Sequence, residues 1–366
     1  MEIIEECKYV VCVRCFTFNH ANYIEDAMNG FCMQQTSFPF VCALVDDAST
    51  DGEPAVIHKY LDDNFNLKDK SVVRNEETDD YVLTFAQHKT NKNCYFAVFI
   101  LKYNHYSSIE LKECKFRYIG EWYDNAKYLA ICEGDDYWIH PQKLQMQVDF
   151  LENNQSYTMA CNNTAYYSVK RDMIIGNNRC YEQSQEVDRK DVILKGGGFI
   201  STCSVIYRPQ ILDNYPVYCQ HCHVGDYPLQ IMAAMKGRVY YFDDVFAVYR
   251  TENPNSWCGR QEERLLSERR LNGMLSEIRM LQGFQKDYPQ FESSFIRSIK
   301  DFIFNNMPKW SDDPDGYSSF SRVFQTEICS FSRRDRLKLK WMKSRFSKTY
   351  SFYSLIRNLL TISCKS

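Results

Sequence analysis

The stretch from Tyr128 to Pro141 constrains the fold of this chain more than any other part of the sequence. It begins with five apolar residues, Tyr-Leu-Ala-Ile-Cys, bounded by polar ones, a pattern that predicts a short buried strand. Three carboxylates follow directly around a glycine, in the order Glu133, Gly134, Asp135 and Asp136. After the proline, apolar residues recur at the spacing of a helix, at Leu144, Val148 and Leu151. Ligands of open α/β sheets bind beyond the carboxyl ends of the strands, so the acids mark a predicted functional site.

The acidic turn predicts a divalent cation. Carboxylates held together at a strand end repel one another unless a positive group lies between them. Hard cations such as Mg²⁺ prefer oxygen ligands and leave coordination positions open for phosphate oxygens. A solvated acidic turn that binds no ligand is the alternative interpretation.

Two more units of strand, polar turn and helix precede this stretch. The run from Tyr9 to Phe16 is rich in β-branched and aromatic residues, which predicts a first strand, and it ends in the polar turn Thr17 to His20. Helical spacing follows from Ile24 to Phe31. The run from Phe40 to Val45 predicts a second strand, and it ends in the acidic turn Asp46 to Gly52. This alternation predicts an α/β fold with a Rossmann-like, mostly parallel sheet and helices on both faces.

Later segments are less regular. Thr50 and Glu53 have the spacing of a capping box at the start of the next helix. Within residues 66–127, Ser71 to Arg74 predicts a short strand, and the apolar run Cys94 to Leu101 fits either a strand or a buried helix. The remainder of that segment is polar, which suggests an irregular insertion over the site. We expect one large domain over 1–258 and a helical C-terminal region over 259–366.

Composition excludes several classes of protein. The chain has 366 residues, 25% charged residues and a net charge of -3, which argues against general nucleic-acid binding. No apolar run reaches the length of a membrane-spanning helix. The polar start from Met1 to Lys8 lacks the apolar region of a signal peptide, so a cytoplasmic location is expected. Sixteen cysteines in such a chain should be reduced thiols. The run from Cys219 to His223 matches a haem-attachment pattern, but a loop without a metal is the preferred interpretation.

The C-terminal segment is strongly basic. From Arg333 to Lys348 there are eight basic residues and one acid, and apolar residues continue at helical spacing to Leu360. A basic amphipathic helix is typical of a peripheral contact with the inner face of the membrane. A final helix docked on the body, with its basic face in water, remains an equal alternative.

These motifs, taken in order, resemble those of the family-2 glycosyltransferases, which are inverting enzymes with the A-type nucleotide-sugar fold. The similarity covers about 1–60 and 126–152 closely and 195–257 more loosely. The motifs that carry it stand here as Phe16-Thr-Phe-Asn19, Asp46 to Gly52, Glu133 to Asp136 with the following Tyr-Trp-x-x-Pro-x-Lys-Leu-x-x-Gln, Gly225-Asp226 and Tyr249-Arg250. Glu133 stands where the family more often has its first aspartate.

The resemblance implies roles for individual residues. Phe18 would stack on the nucleotide base, and Asp47 would accept a hydrogen bond from the base. Asp135 and Asp136 would bind Mg²⁺ or Mn²⁺, and Asp226 would be the general base. The predicted contacts to the nucleotide sugar are Thr17, Phe18, Asn19, Asp46, Asp47, Glu133 and Asp135.

The activity implied is transfer of a sugar, with inversion, from a UDP-linked or other nucleotide-sugar donor to a hydroxyl of a glycan or lipid-linked acceptor. The implied setting is assembly of bacterial surface polysaccharide or lipopolysaccharide. A non-catalytic nucleotide-sugar or carbohydrate-binding module is the alternative. A phosphatase of the haloacid-dehalogenase type is disfavoured, because Asp46-Asp-Ala-Ser-Thr50 does not fit its motif.

Overall fold

The computed structural model describes residues 8–106, 114–253, 256, 268–311 and 314–340. The strands in these residues are β1 Val11–Thr17, β2 Phe40–Asp46, β3 Arg74–Glu77, β4 Tyr81–Gln87, β5 Cys94–Leu101, β6 Tyr128–Ile131, β7 Tyr137–Trp138, β8 Tyr157–Ser168, β9 Met173–Asn178, β10 Gln185–Glu186, β11 Ile206–Tyr207 and β12 Arg238–Thr251. They form one mixed sheet whose main path is β10-β12-β8-β11-β6-β1-β2-β5-β4-β3. In addition, β7 pairs with β12 and β9 with β8.

The sheet is flanked and followed by helices. They are α1 Ile24–Cys32, α2 Glu53–Asn64, α3 Cys114–Tyr123, α4 Lys143–Asn153, α5 Arg189–Lys195, α6 Val217–Gln220, α7 Asp226–Lys236, α8 Glu268–Asp287, α9 Glu292–Asn306, α10 Pro308–Ser311, α11 Pro314–Val323 and α12 Gln325–Ser330. Residues 333–340 are also helical. In the described parts of the chain, no helix is both long and apolar enough to span a bilayer. The predicted α/β class with a C-terminal helical region is confirmed.

The centre of the sheet is parallel. β1 pairs in parallel with β2 on one side and with β6 on the other, and β2 pairs in parallel with β5. Every residue of β2 and β6 is buried, as expected for parallel strands that are covered on both faces. Since all four strands run the same way, their carboxyl ends share one edge of the sheet.

Antiparallel strands extend the sheet beyond this centre. β3, β4 and β5 pair successively in antiparallel fashion, so the prediction of an irregular insertion over 66–127 is wrong for this part. The sequence does not indicate β4 because its buried residues, Leu83, Phe85 and Ala86, do not alternate strictly with half-buried ones. On the other side, β11 lies antiparallel between β6 and β8, and the long strands β8 and β12 run parallel to each other.

The chain divides into two compact units. The first comprises the described residues of 1–192, 197–214 and 229–259, and the second those of 193–196, 215–228 and 260–366. Within the second unit, α8 and α9 pack through apolar faces, with the rings of Phe284 and Phe295 stacked at 6.2 Å. The predicted domain boundary after residue 258 stays a prediction.

Candidate functional site

Three of the predicted turns meet at the carboxyl end of β1. Thr17 lies opposite Asp46 in the β1–β2 ladder. From the other side, Glu133 reaches back to β1, where Arg14 Nη2 donates to its Oε1 at 2.8 Å and the amide of Phe16 donates to its Oε2 at 2.8 Å. The acids that follow β2 and β6 therefore surround the end of a single strand.

A buried glutamate, Glu53, ties the first two turns together. Its carboxylate accepts hydrogen bonds from Thr17 Oγ1, from the amide of His20 at 2.8 Å and from Ser49 Oγ at 2.8 Å. The predicted capping box is wrong, because Gly52, with a left-handed φ of 94°, is the N-cap residue, and the amide of Glu53 donates to Asp51 Oδ1 at 3.1 Å. Burial raises the pKa of Glu53 to about 7, although its three donors act in the opposite direction.

Glu53 should make the stability of the protein depend on pH. Because its pKa is raised in the folded state, the folded protein binds the proton more tightly than the unfolded chain between about pH 4.5 and 7, and stability falls as pH rises through that window. We expect Glu53→Gln to remove this contribution, which is roughly 3 kcal/mol at most. The measurement is urea unfolding from pH 5 to 8, with the exposed Glu25→Gln as the control. Parallel pH curves for parent and Glu53→Gln would contradict the prediction.

The three residues predicted from the first turn differ in accessibility. Thr17 is buried and bonded to Glu53. Asn19 has a left-handed φ of 59°, donates its amide to Ser49 Oγ at 2.9 Å and accepts from the amide of Thr50 at 2.8 Å. Phe18 and Asn19 are both half-buried, and Phe18 is the one of them with an aromatic face, whereas Thr17 and Asn19 bond the two turns together.

Asp47 is held by partners that sequence reasoning missed. Its Oδ1 accepts from the amide of His105 at 2.7 Å, and its Oδ2 accepts from the amide of Tyr106 and from Lys115 Nζ, both at 3.0 Å. A carboxylate has about four lone-pair sites, so one is left for the predicted bond from a base. No sequence signal pointed to Lys115, because the ion pair spans 68 residues.

Asp46 is fully buried at the end of β2. Its Oδ2 accepts from the amide of Ser49 at 3.0 Å. Burial raises the pKa of this carboxyl, and the bonds from Ser49 oppose the rise. The side chain shapes the second turn, and its predicted contact with a nucleotide sugar stays a prediction.

Gly134 is required by a close approach between the acidic turn and β1. A Cβ atom at this position would lie 2.1 Å from Oγ1 and 2.5 Å from Cβ of Thr17. The amide of Gly134 donates to the carbonyl of Phe16 at 3.1 Å, which keeps the two backbones together.

We expect Gly134→Ala to displace the acidic turn and to destabilise the protein by about 1–3 kcal/mol, since the backbone has to move away from Thr17. Thermal unfolding measures the effect. Gly198→Ala is the matched control, because no atom lies within 4 Å of its added Cβ. Equal unfolding temperatures for both variants would show that the turn is free to shift.

Arg250 clamps the acidic turn from β12. Its amide donates to Asp136 Oδ1 at 2.9 Å, and its Nη1 donates to the carbonyl of Asp135 at 2.8 Å. The guanidinium lies 4.9 Å from the ring centre of Tyr23 and 4.4 Å from that of Tyr137. Arg250 of the Tyr-Arg motif therefore positions the acidic turn, a role that the sequence match did not define.

The two aspartates of the turn have different surroundings. Asp136 is only 3% exposed, and burial, followed by the charge of Asp135, raises its pKa well above the usual range. The side chain of Asp135 is 16% exposed, with Oδ2 at 3.7 Å from His20 Nε2. Among the described residues, no three His, Cys, Asp or Glu side chains are grouped to hold a metal ion. Asp135 is thus the more accessible oxygen donor of the pair.

The motif that follows the turn forms a buried support. Lys143 Nζ donates to Gln147 Oε1 at 2.8 Å and lies 4.3 Å from the ring centre of Trp138. Trp138 Nε1 donates to the carbonyl of Cys203 at 2.8 Å. Burial lowers the pKa of Lys143 to about 7. These three motif residues are therefore part of the buried core beneath the turn.

Asp226 is the first residue of α7 and belongs to the second unit. Its Oδ1 accepts from the amide of Tyr227 at 2.7 Å. Burial raises the pKa of this carboxyl, and the bond from Tyr227 lowers it. His223 and Glu277 belong to the same unit, and their side chains approach to 3.4 Å.

The sequence matches no known family model. Two uncharacterized proteins, Rv1520 of Mycobacterium tuberculosis and Mb1547 of Mycobacterium bovis, are each 26% identical over 266 residues. The match covers 72% of this chain and 65% of each relative, so the chain spans just under two thirds of the length of these relatives.

The solved structures that align with this chain are distant from it. The crystal structure of S. aureus TarS 1–349 in complex with UDP aligns with a TM-score of 0.49 at 14% identity, over 93% of this chain and 91% of that one. The mannosyltransferase PcManGT from Pyrobaculum calidifontis, in complex with GDP-Man and Mn2+, aligns with a TM-score of 0.49 at 13% identity, over 96% and 85%. Likenesses this distant transfer neither a ligand nor an activity to this chain.

Proposed function

We propose that the chain is a glycosyltransferase that takes a sugar from a nucleoside-diphosphate donor, UDP-linked in the first instance, and passes it with inversion to a hydroxyl of a glycan or lipid-linked acceptor. The observation that carries the proposal is the convergence of the turns after β1, β2 and β6 on one edge of a parallel sheet. That edge is where α/β sheets bind nucleotides. Phe18 supplies an aromatic face there, and Asp47 keeps a lone pair for a base.

The donor set at the turn fits a hard divalent cation in part. Asp135 would hold Mg²⁺ or Mn²⁺ through a carboxylate oxygen, and the remaining positions would go to diphosphate oxygens and water. Asp136 would assist as the second predicted ligand or, through its bond from Arg250, orient the turn. The bound cation supplies charge stabilisation for the departing diphosphate.

Asp226 would act on the acceptor side. Its carboxylate removes the proton from the acceptor hydroxyl as the oxygen attacks the anomeric carbon. The bond from that carbon to the diphosphate oxygen breaks on the opposite face, so the configuration inverts. Burial raises the pKa of Asp226, and a raised pKa makes its carboxylate a stronger base.

A thermal-shift panel tests the function. The full chain is heated with UDP-, GDP-, CDP- and dTDP-sugars, each with and without Mn²⁺. A true donor at a hundred times its dissociation constant should stabilise the protein by about 2.7 kcal/mol. Incubation of the best donor with Mn²⁺ and glycan acceptors then separates an enzyme from a binding module, because only an enzyme releases the nucleoside diphosphate. If none of the nucleotide sugars stabilises the protein, both the enzyme and the binding module are rejected.

We further propose that the basic C-terminal segment contacts the inner membrane surface, where a lipid-linked acceptor would reside. The predicted helix extends beyond the described residues from 341 onward. In its described part, Leu339 is buried and Arg333, Arg334 and Lys340 are exposed. We expect the triple change of these three basic residues to glutamine to weaken sedimentation with anionic vesicles, as should added salt. The exposed Lys68 and Lys70, changed to glutamine, form the control. Equal sedimentation of all forms would favour a docked helix.

A further inference from the structure

The second unit holds a cluster of three titratable side chains. Asp226 is the proposed base, and the other two have no assigned role. The cluster consists of His223 in the loop before α7, Asp226 at its first position and Glu277 on α8. The side chains of His223 and Glu277 are 31% and 16% exposed, so protons can exchange with water.

The ring of His223 is fixed by α8. Its Nδ1 lies 3.3 Å from Ser276 Oγ, and its backbone amide donates to the same oxygen at 3.0 Å. Ser276 Oγ itself donates to the carbonyl of Gly273 at 2.6 Å. The ring packs on Gly273, where an added Cβ would lie 3.1 Å from its Cγ and Cδ2.

These contacts favour one position for the ring proton. A serine hydroxyl has one proton and two lone pairs. The proton of Ser276 is used on Gly273, so both lone pairs must accept, one from the amide and one from Nδ1–H of His223. The neutral ring therefore carries its hydrogen on Nδ1 and leaves Nε2 as an acceptor.

Nε2 faces Glu277. The distance from His223 Nε2 to Glu277 Oε1 is 3.4 Å. A bare nitrogen and an ionised carboxylate would be two acceptors facing each other, so one proton belongs between them. Burial, and then the charge of Asp226, raises the pKa of Glu277 to about 8, while Arg270 acts in the opposite direction. Cys222 and Tyr227, two further titratable neighbours among the described residues, have pKa values raised by burial.

We propose that His223 and Glu277 share one proton, and that this neutral pair leaves Asp226 as the group of the three that carries the negative charge at neutral pH. The inference rests on the proposed function, because it treats Asp226 as the base. Glu277 is a positioning residue in this scheme, since it acts through Asp226. At pH values above the one at which the pair loses its shared proton, a second negative charge appears beside Asp226. That charge changes the strength of Asp226 as a base.

Nuclear magnetic resonance of the full chain, labelled with ¹⁵N in its seven histidines, tests the pair without any substrate. His223→Asn identifies the signal. We expect the Nδ1–H form at neutral pH and a transition near the pKa of about 8. In Asp226→Asn the transition should move to lower pH, by about one unit, because a neighbouring negative charge is gone. An Nε2–H form, or a transition unmoved in Asp226→Asn, would overturn the proposal.

The link to transfer is tested by the pH profile of kcat/KM. Glu277→Gln cannot lose a proton, so we expect the inflection near pH 8 to disappear in this variant. The exposed Glu268→Gln on the same helix should retain it. Persistence of the inflection in Glu277→Gln would remove the link to Asp226. If no transfer activity exists at all, the proposed function fails while the resonance result still decides the proton-sharing pair.

Discussion

Replacing Asp226 with asparagine should slow sugar transfer by at least about a hundredfold, because general-base assistance is typically worth about 10²–10⁴ in rate. The dissociation constant of the donor should stay nearly constant, since the nucleotide is assigned to the turns after β1, β2 and β6. Slow hydrolysis of the donor by water is expected to survive. The decisive measurement is the transfer rate and the donor affinity in the same preparation.

The matched control for this prediction is Asp213→Asn, an exposed aspartate outside the cluster. It should leave both quantities unchanged. If Asp226→Asn transfers sugar at near the parent rate, another residue is the base. His223 would be the first to examine, because its ring lies in the same cluster.

Replacing Asp135 with asparagine should weaken donor binding in the presence of Mn²⁺ by about tenfold or more, which corresponds to about 1.4 kcal/mol. The variant keeps the shape of the side chain and removes the charge of the more accessible carboxylate. Donor affinity measured by calorimetry should then no longer depend on the metal. Unchanged affinity and unchanged metal dependence would contradict the assignment.

Two further variants sharpen this result. The exposed Asp62→Asn controls for the loss of one charge. Asp136→Asn separates the two predicted ligands. It should also lose metal dependence if Asp136 binds the cation, and it should keep that dependence if the residue only orients the turn through Arg250.

The sequence predicted the centre of the fold because its signals there are local. The runs that became β1, β2 and β6 are apolar and short, and polar turns end each of them. Hydrophobic periodicity and turn residues depend on neighbours only a few positions away.

Local signals failed where packing at a distance decided the outcome. The strand β4, which lies between β5 and β3, alternates buried and half-buried residues irregularly, so its sequence lacks the clean pattern of a strand. Glu53 has the spacing of a cap, yet it turns towards Thr17, 36 residues away, because three donors converge on it there.

By itself, the sequence determined the α/β class, the three strands β1, β2 and β6 and the acids at their ends, since these follow from periodicity and local chemistry. Only the tertiary structure decided that Lys115 neutralises Asp47, that Arg250 clamps Asp135 and Asp136, and that His223 meets Glu277. The physical reason is that such pairs form between segments far apart in the chain. Burying such charged groups costs desolvation free energy, and pairing them recovers part of it. Both effects arise only once the segments are packed together.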